Sequence, residues 1–392
     1  MTDQQSLDRR AAELCLARNI PFVIYSLPGT AETRFYASLP DADGASRAAD
    51  ADGGDGFFIS RFGADEPYMA GVRAAMDARG VMDYVAANPD VMFDAPREMP
   101  YKTSTVRASW NMALRNMRDR LRREGGKVVL SRHTSLFSSR ALLPLAEEYM
   151  SLNPANFGYI CFTPETGVWY GSTPELILET MPGGGYATMA LAGTRWTTDS
   201  SEPWDAKNIA EHETVVRYIT SVLEGAGLAV THCERHTVVT NGVEHLCTPL
   251  TATGDIPFGE LLPLLNPTPA VAGVPLDRSL CEIDLLESHQ RRCYAGVVGV
   301  TEGGRSHAYV NLRCAFAAPA ANCNGRLAGW THNVYAGGGI MSDSDEETEW
   351  AELEHKSHTL LNLIDGGMPD PDVVYNPAKI PFMTLTPVSS EK

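Results

Sequence analysis

Apolar residues recur at helical spacing near the start of the chain. Leu7, Ala11, Leu14 and Ala17 fall on one side of a helix predicted over residues 5–19. The pattern then shifts to aromatic and β-branched runs at 21–25 and 57–60, which predict strands. Between them, residues 41–55 carry mainly Asp, Ala and Gly and predict a surface loop. Residues 113–124 predict a charged amphipathic helix closed by Gly125-Gly126, with a strand (KVVLSR, 127–132) following at once. A Leu- and Ala-rich helix is expected over 139–151, and strands over 159–162, 168–170 and 176–179. Long helices are expected over 211–224 and 345–364. From Gly366 onward prolines replace periodic apolar positions, so this tail is expected to wrap the surface or lack order. Helices and strands interleave without a βαβ rhythm, and no internal repeat is present. The expected class is α+β in one large intertwined domain. Residues 1–100 would form a divergent part of it, 101–365 the core and 366–392 a tail.

One segment near the C-terminus carries candidate chemistry. Glu349 and Glu352 are three apart and Lys356 follows Glu352 by four, so all three share a helix face. Glu346, Glu347 and Glu354 read as solvated neighbours. Just upstream, Tyr335-Ala336-Gly337-Gly338-Gly339-Ile340 reads as a glycine-rich turn whose backbone amides, with the helix N-terminus, would cradle an anion. Carboxylates for a hard cation beside an anion cradle suit a magnesium-dependent enzyme with a carboxylate substrate.

Bulk properties narrow the classes. The chain has 392 residues, 44% of them hydrophobic, enough for a sizeable core. No apolar run reaches the ~18 residues of a membrane span, and the first residues lack a signal-peptide core. A net charge of −17 argues against a general nucleic-acid binder. Eight cysteines without a C-x-x-C pair fit a reducing, cytoplasmic setting.

Several segments, in order, resemble the chorismate-utilising enzymes: isochorismate, salicylate, anthranilate and aminodeoxychorismate synthases. They are Lys127–Arg132, Gly171-Ser172-Thr173-Pro174-Glu175-Leu176, Leu191-Ala192-Gly193-Thr194-Arg195, Glu211-His212, Glu244-His245-Leu246, the run Pro267–Pro275, Cys293–Gly299, Asn311–Ala315 and the 337–356 region. The likeness is greatest to isochorismate synthases, on Lys127 and on the Pro267-Thr268-Pro269-Ala270 form of its loop. It implies antiparallel sheets flanked by helices, and a monomer that isomerises chorismate with Mg2+.

The resemblance also implies roles. Lys127 would be the general base for water and Glu175 the general acid. A free lysine titrates near ~10.4, so burial or nearby cations must make Lys127 less basic; an apolar pocket must raise Glu175. Glu211, Glu349 and Glu352 would hold magnesium. Asn208 departs from the family, where an acidic residue is common, and would reach a metal-bound water. Arg313, Tyr294 and the backbone of Gly337 to Gly339 would take the pyruvyl carboxylate. Gly193, Thr194, His245, Ala270 and Lys356 complete the substrate set. Arg195 reads as structural, and His212 as a support for Glu211. Menaquinone synthesis is the expected pathway, with siderophore synthesis as the alternative. The rival functions are a salicylate synthase, disfavoured by the apolar Ala270 and Val271, and a non-catalytic binding protein.

Overall fold

A computed structural model describes residues 2–41, 54–63, 70–94, 98–196, 202–240, 243–321 and 325–366. Most of the predicted 41–55 loop and all of the tail after Gly366 lie outside these residues.

Two antiparallel sheets carry the described strands. The first runs, in spatial order, β13 (Gly273–Val274), β5 (Lys127–Ser138), β17 (Leu327–Ile340), β16 (Cys314–Ala321), β7 (Gly167–Thr173), β6 (Phe157–Thr163), β1 (Phe22–Ser26) and β2 (Arg34–Ala37). The second runs β10 (Ala229–His232), β12 (Val243–Thr253), β9 (Tyr186–Trp196), β8 (Leu176–Thr180), β15 (Arg305–Val310), β14 (Val297–Glu302), β3 (Gly56–Ile59) and β4 (Ala70–Arg73). A further strand, β11 (His236–Thr240), pairs with β12. The described helices are α1 (Asp3–Arg18), α2 (Ala78–Ala87), α3 (Arg107–Glu124), α4 (Leu142–Leu152), α5 (Ala206–Gly225), α6 (Phe258–Leu265), α7 (Leu276–Leu286) and α8 (Glu346–Asp365).

Strands β1 and β6 of the first sheet are buried on both faces, which explains their near-continuous apolar runs. Along β1, Val23 and Tyr25 join the core between the sheets, while Phe22 and Ile24 join the core under α1 and α4. Along β6, Phe157, Tyr159 and Cys161 point one way and Ile160 and Phe162 the other. Each large side chain so buried contributes about 1.5–3 kcal/mol. Truncating the fully buried Trp169 to Ala should cost about 3–5 kcal/mol.

The chain enters both sheets before residue 75, through β1 to β4. Helix α1 begins at a capping box formed by Thr2 and Gln5 and ends at Asn19 in the left-handed region. Its inward face is Asp8, Ala11, Ala12 and Cys15; Ala17 is exposed, one position off the expected stripe. Helix α3 starts six residues earlier than its apolar pattern, because Trp110 packs edge-on against Trp350 of α8. The expected glycine-rich turn at 335–340 is the end of strand β17 instead. Gly337, Gly338 and Gly339 pair with Ser131, Leu130 and Val129 of β5. Ladder pairing holds these glycines extended where the sequence alone suggests a break.

Candidate active site

A cavity of about 400 Å³ opens between the first sheet with α8 and the second sheet with α5. It is lined by Lys127, Glu175, Gly193, Thr194, Glu211, His245, Ala270, Tyr294, Arg313, Gly337, Gly339, Glu349, Glu352 and Lys356, all expected at the site; of the expected Gly337–Gly339 backbone, Gly338 is not among the lining residues. Lys207 and Thr348, which carry no distinguishing signal in the sequence, also line it.

On the first side, β5 and β17 present alternate residues inward, so Lys127, Val129, Tyr335, Gly337 and Gly339 share the cavity face. Glycine is needed here for space. A Cβ at Gly339 would overlap Lys127 Cε, and one at Gly337 would lie 2.6 Å from Tyr294 Oη. Lys127 is buried and its Nζ is ion-paired with Glu211 of α5. The sequence had suggested a desolvated amine; the burial is present, and a carboxylate partner comes with it. Lys356 donates to Glu352 Oε1 at 2.5 Å and to the Gly337 carbonyl at 3.0 Å. The glycine run therefore offers a carbonyl acceptor in addition to its amides. Arg313, at φ 50° between β15 and β16, donates to the Lys356 carbonyl at 2.6 Å. Tyr294 stacks on Tyr335 with ring centroids 5.4 Å apart.

Helix α8 sets the acidic groups. Asp345 caps it through the amides of Glu347 and Thr348. Glu346 is held by a bidentate contact from Arg115 of α3, at 2.6 and 2.7 Å, and Glu347 pairs with Arg107. Both lie on the outer face of α8 as expected, with Glu347 80% exposed, and both meet arginines of α3 there. Glu349 is buried and accepts from Ser344 Oγ at 2.5 Å. Burial, reinforced by the charge of Glu352, raises its carboxyl to about 7. Burial would also raise Glu352, but Lys356 beside it outweighs that and holds it below the usual range.

On the second side, Glu175 sits where the chain crosses from β7 of one sheet to β8 of the other. It is 6% exposed, and burial raises it to about 7 against the opposing charges of Lys127 and Lys356. Gly193 is the extra residue of a bulge, since Thr194 pairs with His245 and Ala192 with Leu246. Its φ of +79° favours glycine. Asn208 holds this bulge: its Oδ1 accepts from the Thr194 amide at 3.0 Å and its Nδ2 donates to Asp205 at 2.8 Å. Both ends of that amide are engaged, so the expected reach to a metal-bound water would cost these bonds. His245 Nδ1 lies 3.3 Å from the Gly193 carbonyl and 3.2 Å from Thr194 Oγ1. Burial, then Arg313 and Lys356, push it down to about 3, so the ring is neutral at physiological pH. Arg195 pairs with Glu244 at 2.7 Å and lies over Trp204, which fits its structural reading although it also lines the cavity. His212 is buried behind the site against Thr248 Oγ1 at 2.7 Å.

The residues fit a hard divalent cation in their chemistry. A Cβ built on Gly338 would lie 3.6 Å from Glu349 Oε2 and 4.0 Å from Glu352 Oε1, and one on Gly339 would lie 3.4 Å from Glu211 Oε1. Three carboxylates thus gather over two bare glycines. As they stand, no group of three acidic, His or Cys side chains among the described residues closes around one point. Glu211 is drawn to Lys127 and Glu352 to Lys356. Among the described residues, no helix is long and apolar enough to cross a membrane.

Residues 75–365 match the family model for chorismate binding enzymes. Among curated relatives, isochorismate synthase EntC of Escherichia coli K12 is 29% identical over 252 residues, covering 60% of this chain and 62% of that protein. Isochorismate synthase MenF of the same organism is 31% identical over 255 residues, covering 61% and 56%. The matched region thus spans less than two thirds of the length of either relative. A solved structure of the menaquinone-specific isochorismate synthase MenF from Escherichia coli superposes with a TM-score of 0.70 at 20% identity, over 92% of this chain and 91% of that one. At that identity the superposition establishes the fold.

Proposed function

This chain belongs to the chorismate-binding enzyme family, and we propose that it isomerises chorismate to isochorismate. The observation that carries the reading is that buried Lys127 and buried Glu175 both reach one cavity, from facing sides. Glu175 is an acid kept near neutrality by burial, and Lys127 is a buried amine at the head of β5. Lys127 takes a proton from water as its oxygen bonds to ring C2. The ring double bonds shift, the C4–oxygen bond breaks, and Glu175 donates the proton that lets the hydroxyl leave as water. One water is consumed and one released. A lysine accepts a proton only with its lone pair free, so Lys127 acts after its pair with Glu211 opens.

Magnesium is the metal we assign, held by Glu211, Glu349 and Glu352; when bound, it supplies positive charge to the ring carboxylate. Arg313 and Tyr294 bind and orient the pyruvyl carboxylate, where a guanidinium offers two parallel donors. Gly193, Thr194 and neutral His245 position the ring, and the apolar Ala270 and Val271 give no group to assist pyruvate loss. Menaquinone synthesis is the pathway we assign, a reading supported by the relatives named MenF.

The test is a product assay with chorismate and magnesium, resolved by chromatography with mass detection. The expected result is a peak of unchanged mass that approaches an equilibrium mixture and is lost with chelator. Salicylate with pyruvate would replace this reading by a salicylate synthase, and absence of turnover would replace it by a binding protein.

A further inference from the structure

Lys207 lines the cavity from the first turn of α5. Each of the other cations that line the cavity already has a close protein acceptor. Lys127 is paired with Glu211, and Lys356 with Glu352 and the Gly337 carbonyl. Arg313 is bonded to the Lys356 carbonyl and Arg195 to Glu244. Lys207 differs. Among the described residues its closest acidic partner is Asp343, at 4.0 Å, in the loop between β17 and α8. The two side chains are 46% and 70% exposed. An exposed pair at that separation contributes little, so the ammonium is available. Its charge nevertheless reaches into the site, where it lowers the proton affinity of Glu349.

The setting gives this availability a use. The protein carries a net charge of −17, and a substrate with two carboxylates is repelled by such a surface. A lone cation at a cavity mouth offsets that repulsion locally and raises the rate of productive encounter.

We infer that Lys207 is a further substrate-binding residue, which receives a carboxylate of the incoming dianion at the mouth and exchanges Asp343 for it. The inference rests on the chorismate reading above. It places Asp343 as a competitor that occupies Lys207 between turnovers.

The test uses the full chain at saturating magnesium. It compares wild type, Lys207→Ala, Lys207→Arg, Asp343→Asn and the Lys207→Ala/Asp343→Asn pair. Steady-state kinetics at low and high salt are combined with direct titration of chorismate by calorimetry. Lys207→Ala should raise KM and Kd about five- to tenfold with kcat within about twofold, and should flatten the salt dependence of kcat/KM. Lys207→Arg should restore KM. Asp343→Asn should lower KM, and this gain should vanish in the double variant. An unchanged KM and Kd for Lys207→Ala at low salt, or a loss confined to kcat, would overturn the inference. Wild type that binds chorismate without turnover would fail the function reading alone, with Lys207 then decided by the Kd comparison. Wild type that neither binds nor converts chorismate would overturn both.

Discussion

Two carboxylates on facing sides of the cavity, Glu352 and Glu175, are held in opposite ways. On the α8 side, Glu352 is answered by Lys356 at 2.5 Å and stays ionised. On the side of the sheet crossing, Glu175 sits among Pro174, Leu176 and the buried β7 strand, and is raised to about 7. The residue type is the same, and the surroundings decide whether it holds charge or a proton. Glu349, also on α8, follows Glu175 rather than Glu352: burial, and then the charge of Glu352, raise it to about 7. In the proposed reaction, a carboxylate answered by a lysine suits ion binding and a desolvated one suits proton delivery.

Substitutions at the proposed proton-transfer pair break this comparison most severely. Lys127→Ala and Glu175→Gln should each lower kcat by about 10²–10⁴-fold while the circular dichroism spectrum is kept. Wild-type kcat should also fall as pH rises through about 7, where Glu175 loses the proton it is proposed to donate. Gly339→Ala should approach the Lys127→Ala defect, because its Cβ would displace Lys127 Cε. Gly338→Ala, whose nearest contact would be Leu353 Cδ2 at 3.4 Å, should cost far less in the same assay.

A smaller loss is expected on the ion-holding side. Glu352→Gln should weaken magnesium binding by about 10–100-fold, read by titrating activity against magnesium and by calorimetry. Unchanged affinity would remove Glu352 from the ligand set.

The smallest effect concerns stability. A carboxyl raised in the folded state holds its proton more tightly there than in the unfolded chain. Its contribution is therefore fully present below the unfolded value near ~4.5 and is lost as pH rises to about 7. Glu175→Gln removes that loss and should stabilise the protein by up to about 3 kcal/mol above pH ~7, with little change near pH ~4. Thermal unfolding of both proteins across this range checks the sign.

The location of the site was legible in the sequence because its residues lie in short segments of recognisable order, and those segments converge on one cavity. Three features were not legible. The glycine run at 337–339 reads locally as a turn, and only pairing with β5 across some two hundred residues of chain makes it a strand. The arginines of α3 read as a solvated charged face, and the sequence does not show that Arg115 and Arg107 meet Glu346 and Glu347 of α8. Lys207 looks like any lysine at a helix start; what distinguishes it is that its neighbours' charges are already engaged, which is a property of the folded cavity. The protonation of Glu175 has the same origin, since Pro174 and Leu176 permit burial but do not enforce it.

The most direct test of the proton-transfer account is conversion of chorismate by the wild-type protein in water enriched in heavy oxygen. Isochorismate is predicted to gain the mass of a single heavy oxygen, at ring C2, with loss of this product in Lys127→Ala. Isochorismate formed with no heavy oxygen would contradict the attack of water that Lys127 is proposed to activate.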